Sequence, residues 1–208
     1  THNRHGGTLV GLDYIRQTAQ LARENNCAFH CDGARLWNAS AATGIAPKDY
    51  AAEFDTLSVC LSKGLGAPVG SLIVGRNEHI HAARKWRKIL GGGMRQVGIL
   101  AAAGLHALKF HREALAGDHR HARDFAERLA SSPYIRINLE SVQTNIVVFG
   151  FPSSINPLEF IAACKQQGLL VSQGRTGWMR AVFHFQVSEQ DAQAAAEIVV
   201  RAVEERIL

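Results

Sequence analysis

Three side chains in this 208-residue sequence could share one piece of chemistry: Asp32, Arg35 and Lys63. Lys63 comes just after the apolar run Val59-Cys60-Leu61 and opens a turn rich in Gly and Pro that ends at Gly70. An amine held at the mouth of an apolar strand loses hydration, which favours its neutral, nucleophilic form and lets it form a Schiff base with a carbonyl. The other reading is a strand-end lysine that carries its charge out to water on an apolar stem. Asp32 follows the short apolar stretch Cys27-Ala28-Phe29-His30, at the strand end where α/β sheets usually bind ligands. A carboxylate there can hold a cation or a protonated ring nitrogen, and Arg35 can offer a two-pronged donor to a second carboxylate. Taken alone, the pair also reads as an internal Asp–Arg ion pair capping a helix.

The elements that would position these groups follow a strand–helix–strand order. Leu12, Ile15, Ala19 and Ala22 fall on one face of a helix that ends at Asn25-Asn26. A buried strand is expected at Cys27–His30, then short helices, with Pro47 in the first turn of one. Strands Leu57–Leu61 and Ser71–Val74 are too close in sequence for a helical crossover, so as neighbours they must run antiparallel. Helices are expected at Glu78–Leu90, Val97–Leu115 and on to Ala130, the middle one rich in Ala. The remainder reads as a smaller α+β unit. Its strands are placed at Ile135–Leu139, Asn145–Phe149, Gly168–Ser172 and Met179–Phe185. Its helices are Pro157–Gln167 and a last one capped by Ser188-Glu-Gln-Asp191. The order predicts an α/β fold with a mixed, mostly parallel sheet over residues 1–112, plus a small C-terminal α+β domain over 113–208.

The bulk properties narrow the classes. A formal charge of +5 permits an anionic ligand, but the basic residues are interleaved with acids and no aromatic–basic stripe appears, so no nucleic-acid partner is expected. No apolar run approaches a membrane span, so no membrane partner is expected. The four cysteines lack CxxC spacing and read as buried free thiols in a reducing cytoplasm. His79 with His81, and His119 with His121, sit on polar helical stretches and read as solvated, with no metal site implied. Gly64 and Gly66 follow the lysine rather than precede it, which excludes a Walker loop.

An aspartate able to hold a pyridinium nitrogen, upstream of a Schiff-base lysine, is what pyridoxal phosphate chemistry requires. Longer stretches carry a resemblance. His30-Cys-Asp-Gly-Ala-Arg-Leu-Trp-Asn-Ala39, Cys60-Leu-Ser-Lys-Gly-Leu-Gly-Ala-Pro-Val-Gly-Ser71, Thr1-His-Asn3 and Leu90-Gly-Gly-Gly-Met-Arg-Gln96 resemble, in order, the low-specificity L-threonine aldolases of the β-eliminating lyase superfamily. The resemblance implies a fold-type I enzyme dependent on pyridoxal 5′-phosphate that cleaves L-threonine or L-allo-threonine to glycine and acetaldehyde. A related β-eliminating lyase, a phenylserine-type aldolase, or a non-catalytic remnant or assembly partner of the same fold are the alternatives.

By motif position, the resemblance implies that Lys63 binds the cofactor covalently and Asp32 holds the ring nitrogen protonated. Arg35 and Arg180 would bind the substrate carboxylate. Arg95 would approach a cofactor site across a subunit interface, in a homotetramer or dimer of dimers. His184 reads as a core or supporting histidine, with Phe183 where the family usually has Thr. The resemblance further implies a segment before Thr1 that holds the cofactor phosphate and stacks on its ring. The 208 residues therefore read as the later part of such an enzyme, and alone they are expected to bind pyridoxal phosphate weakly and to turn over little substrate.

Overall fold

The computed structural model describes residues 1–207, which fall into two compact units joined after Glu113. Residues 10–113, with Thr1, form the first, and residues from Ala114 onward, with His2–Leu9, form the second. The segment 2–9 thus groups with the second unit, where sequence order had placed it with the first. Its anchors explain this. His2 and Thr8 form an antiparallel bridge, Thr144 donates its hydroxyl to the Gly7 carbonyl at 2.8 Å, and the Leu9 amide donates to Gln143.

The first unit runs α1 (Leu12–Glu24), β1 (His30–Gly33), α2 (Leu36–Thr43), α3 (Pro47–Ala51), β2 (Thr56–Cys60), β3 (Ser71–Gly75), α4 (Asn77–Ile89) and α5 (Gly98–Phe110). Its sheet has the order β1-β2-β3, with β1 parallel to β2 and β3 antiparallel. On α1 the four positions picked out by helical periodicity are withdrawn from solvent, as is Thr18, and Ala19 is buried. Strand β1 begins three residues later than its apolar stretch suggests. The α1 turn ends with Asn26 at φ 52°, and pairing starts only where Phe29 exchanges hydrogen bonds with Asp55, just ahead of β2. Asp32 consequently lies inside β1 rather than beyond it. Strand β3 is exposed along its whole length, with Leu72, Ile73 and Val74 each more than 40% accessible.

The second unit runs α6 (Leu115–Ala130), β4 (Arg136–Ile137), β5 (Ile146–Gly150), α7 (Pro157–Gln166), β6 (Ser172–Gln173), β7 (Trp178–Val182) and α8 (Glu189–Glu204). Its sheet is antiparallel with the order β4-β5-β7-β6. The strand expected at 135–139 contracts to Arg136–Ile137, and the one expected at 168–172 is replaced by the two-residue β6, which shares only Ser172 with it. Leu139–Ser141 instead closes a 3-10 turn held by Asn138, whose side chain accepts from the Glu140 amide. Helix α8 starts with a capping box: Ser188 Oγ accepts from the Asp191 amide, and the Asp191 carboxylate accepts from the Ser188 amide. Phe125, Phe149, Phe160, Met179 and Val199 are fully buried in one cluster. Truncating a buried phenylalanine removes its transfer energy and leaves a cavity. Phe149→Ala is expected to cost about 3–5 kcal/mol of second-unit stability, read as a fall in its denaturant midpoint.

The cysteines divide. Cys60 and Cys164 are buried, whereas Cys31 is half-buried and Cys27 exposed, so the expectation of four buried thiols holds for two. On α6, burial corrects another expectation: it pushes the Asp118 carboxyl up to about 6 and His119 down to about 4. His119 is therefore partly sheltered, not solvated.

Asp118 keeps its proton in the native state at pH values where the unfolded chain has lost it, so its contribution falls as pH rises from ~4 to about 6. His119 resists protonation in the native state, so its contribution falls as pH drops from ~6.5 to about 4. The two nearly cancel between those limits. Asp118→Asn should raise the melting temperature at pH 7 and leave a steeper loss on acidification below pH ~6.5, measured as melting temperature against pH.

Candidate active site

Parallel pairing places Asp32 opposite Ser58 and Gly33 opposite Val59 on β2, and Lys63 follows three residues after β2 ends at Cys60. Asp32 and Lys63 thus lie at the same, carboxyl end of neighbouring parallel strands. Gly33 is required for this closeness. A Cβ there would sit 2.5 Å from the Ser58 carbonyl oxygen. One Asp32 oxygen accepts the Ala34 amide at 3.1 Å, closing a turn that fixes the carboxylate, and both Asp32 and Lys63 are open to solvent. Lys63 is not desolvated within these residues, contrary to the expectation drawn from its apolar neighbours. Its amine makes no hydrogen bond or salt bridge among the described residues.

The lysine turn is closed by backbone hydrogen bonds. The Gly66 amide donates to the Lys63 carbonyl at 2.8 Å, the Ala67 amide donates to the Leu61 carbonyl at 3.0 Å, and Gly66 takes φ 67°. Burial pushes the Cys60 thiol up, but hydrogen bonding with Ser62, the Lys63 charge and Ser71 outweigh it and hold the thiol below its usual range. Trp37 on α2 donates its indole N–H to the Cys60 carbonyl at 3.2 Å. His111 Nδ1 lies 2.7 Å from the Leu65 carbonyl. Neither residue is marked by sequence pattern, because each reaches its partner across a long stretch of chain.

Arg35 is buried at the N-cap of α2, close behind Asp32, and Thr1 lies within electrostatic reach of Asp32, Arg35 and Cys31. Arg95 is exposed in the turn between α4 and α5, beside Gln96 at φ 51°. Arg180 lies on β7 in the second unit between Met179 and Ala181, which both face the core, so it points to the sheet's other face. Its Nε is buried without a hydrogen-bond partner among the described residues. His184 lines a cavity of about 510 Å³ in the second unit together with Phe183, Val187 and Ile198, and none of the other five candidate residues lines that cavity. The first unit therefore holds Asp32, Arg35, Lys63 and Arg95, and the second holds Arg180 and His184.

The donor set suits pyridoxal 5′-phosphate. Within the first unit it has a fixed carboxylate for a ring nitrogen, an amine with no hydrogen bond among the described residues for an aldehyde carbon, and the Arg35 guanidinium for a carboxylate.

The architecture is that of the fold-type I pyridoxal-phosphate enzymes. A crystal structure from Exiguobacterium sp. 255-15, assigned as an aromatic amino acid beta-eliminating lyase/threonine aldolase, superposes with a TM-score of 0.80 at 17% identity, covering 97% of this chain and 60% of that one. Residues 1–151 match the beta-eliminating lyase family, and the chain belongs to that family. It is 41% identical over 190 residues to the probable low-specificity L-threonine aldolase 2 of Arabidopsis thaliana, covering 90% of this chain and 54% of the relative. To the low specificity L-threonine aldolase of Escherichia coli K12 it is 48% identical over 127 residues, covering 61% of this chain and 38% of the relative. The chain spans about half the length of the curated relatives it matches. No described helix is long and apolar enough to cross a membrane.

Gly33→Ala must separate β1 from β2 or distort one of them, an overpacking change that costs about 1–3 kcal/mol. Urea denaturation should show that loss, and the variant should bind pyridoxal phosphate more weakly than the parent.

Proposed function

We propose that the complete protein is a pyridoxal 5′-phosphate-dependent aldolase that cleaves L-threonine and L-allo-threonine to glycine and acetaldehyde. The observation that carries this reading is the placement of Asp32 and Lys63 at the same end of neighbouring parallel strands, in a chain whose relatives bear that name.

Lys63 anchors the cofactor through its amine, which makes no hydrogen bond or salt bridge among the described residues. Asp32, fixed by its bond from the Ala34 amide, keeps the proton on the pyridine nitrogen. When bound, the cofactor supplies an electron sink for the charge left on Cα as the Cα–Cβ bond breaks. Arg35 binds the substrate carboxylate; by its motif Arg180 does the same, and its buried, unpartnered Nε leaves a donor unspent. Fixing the carboxylate determines which Cα bond is aligned for cleavage. Arg95 is assigned to the cofactor site of a neighbouring subunit in a homotetramer or dimer of dimers. Residues 10–113 form part of a cofactor-binding large domain and those from 114 the small domain, in a cytoplasmic enzyme.

In the complete protein, Lys63→Ala should remove the visible absorbance of lysine-bound cofactor, and absorbance that survived would overturn the assignment. Arg180→Ala should raise KM for threonine at least ~10-fold, in line with the loss of a charge-assisted bond. Glycine release from threonine compared with phenylserine separates the threonine aldolase from a phenylserine-type enzyme.

A further inference from the structure

Lys63 makes no hydrogen bond or salt bridge among the described residues, so its direction is set chiefly by the backbone on either side. Both flanks are held by residues outside the strand and its turn. The β1–β2 ladder ends at Gly33 opposite Val59, which leaves the next carbonyl on that side, that of Cys60, without a strand partner. Leu61 turns its amide toward Gly70 on the other side, and alternation along the strand sends the Cys60 carbonyl back toward the β1 side. Trp37 supplies the missing donor there at 3.2 Å.

Beyond the lysine, Leu65 is buried to 1% and its carbonyl receives His111 Nδ1 at 2.7 Å. A carbonyl can only accept, so Nδ1 carries the proton. The His106 and His111 rings pack nearly perpendicular to each other with centroids 5.2 Å apart. Arg112, the next residue, places its guanidinium 5.5 Å from the Trp37 ring. Helix α5 delivers both residues. It passes so close to the strand end that a Cβ on Gly104 would lie 3.0 Å from Leu61.

We propose that His111 and Arg112, which begin the link from the first unit to the second, are positioning residues for Lys63. His111 holds the turn after the lysine, and Arg112 steadies the indole that holds the strand end before it. The proposal rests on the reading of Lys63 as the cofactor-binding lysine. It gives the connecting segment a task in the site that neither its sequence nor its distance from Lys63 along the chain suggests.

The test uses the complete protein. Backbone amide exchange across residues 61–67 is followed without cofactor, and the rate at which added pyridoxal phosphate acquires its lysine-bound absorbance is followed alongside. His111→Ala should speed exchange in that turn about tenfold, the scale of one lost hydrogen bond, and slow attachment comparably. Exchange in α6 and β5 should not change. His111→Asn, whose amide nitrogen can take the place of Nδ1, should restore both. Trp37→Phe keeps a ring for Arg112 while removing the donor to Cys60, and should loosen residues 60–63 without disturbing 65–67. Unchanged turn exchange in His111→Ala, altered exchange with unaltered attachment, or an Asn variant no better than Ala would each overturn the proposal. If His111→Ala fails to fold, Trp37→Phe decides in its place, and unchanged exchange at 60–63 or unchanged attachment overturns the proposal. Lys63→Ala is run in parallel: absorbance retained there rejects the lysine assignment itself and not the clamp on the turn, which the exchange data judge independently.

Discussion

Everything in the candidate site depends on how closely β1 can lie against β2. The parallel ladder from His30–Thr56 to Gly33–Val59 aligns the carboxylate-bearing strand with the lysine-bearing one, and only a residue without Cβ fits where Gly33 meets the Ser58 carbonyl. From that contact the rest follows in order. The turn at Asp32–Ala34 starts α2, α2 carries Trp37, and Trp37 reaches the carbonyl at the end of β2. A close backbone approach, more than any charge pair, fixes where the two candidate side chains begin.

Much of this was legible in the sequence because it is written in short-range chemistry. Helical periodicity located α1, and the few residues between Leu61 and Ser71 required an antiparallel β2–β3 pair. Pro47 opened α3 and Ser188 with Asp191 capped α8. The errors came where partners at a distance decide. Cys27–Phe29 looked like a strand because it is apolar, but its pairing could begin only where β2 begins. Ile135–Leu139 alternates well, yet only Arg136 and Ile137 found a neighbour, and of the apolar run Gly168–Ser172 only Ser172 did. His119 looked solvated on a polar helix until the fold packed around it.

The same limit applies at the site. Asp32, Arg35 and Lys63 stand out as candidates because residue type and local spacing suggest a chemistry. Trp37 and His111 do not, because a side chain donating to a backbone carbonyl leaves no trace in the residue that accepts it. Arg180 illustrates a middle case. Its alternation with Met179 and Ala181 tells which face it takes, while its buried, unpartnered nitrogen is visible only in three dimensions.

The two units differ in how completely they bury themselves. In the second, a continuous apolar cluster joins the sheet to its helices. In the first, β3 shows branched apolar residues to water on both faces, and Trp86, Ile99 and Leu105 are exposed as well. Local stability follows buried contact, so opening costs least where β3 meets water in the first unit and most within the apolar cluster of the second.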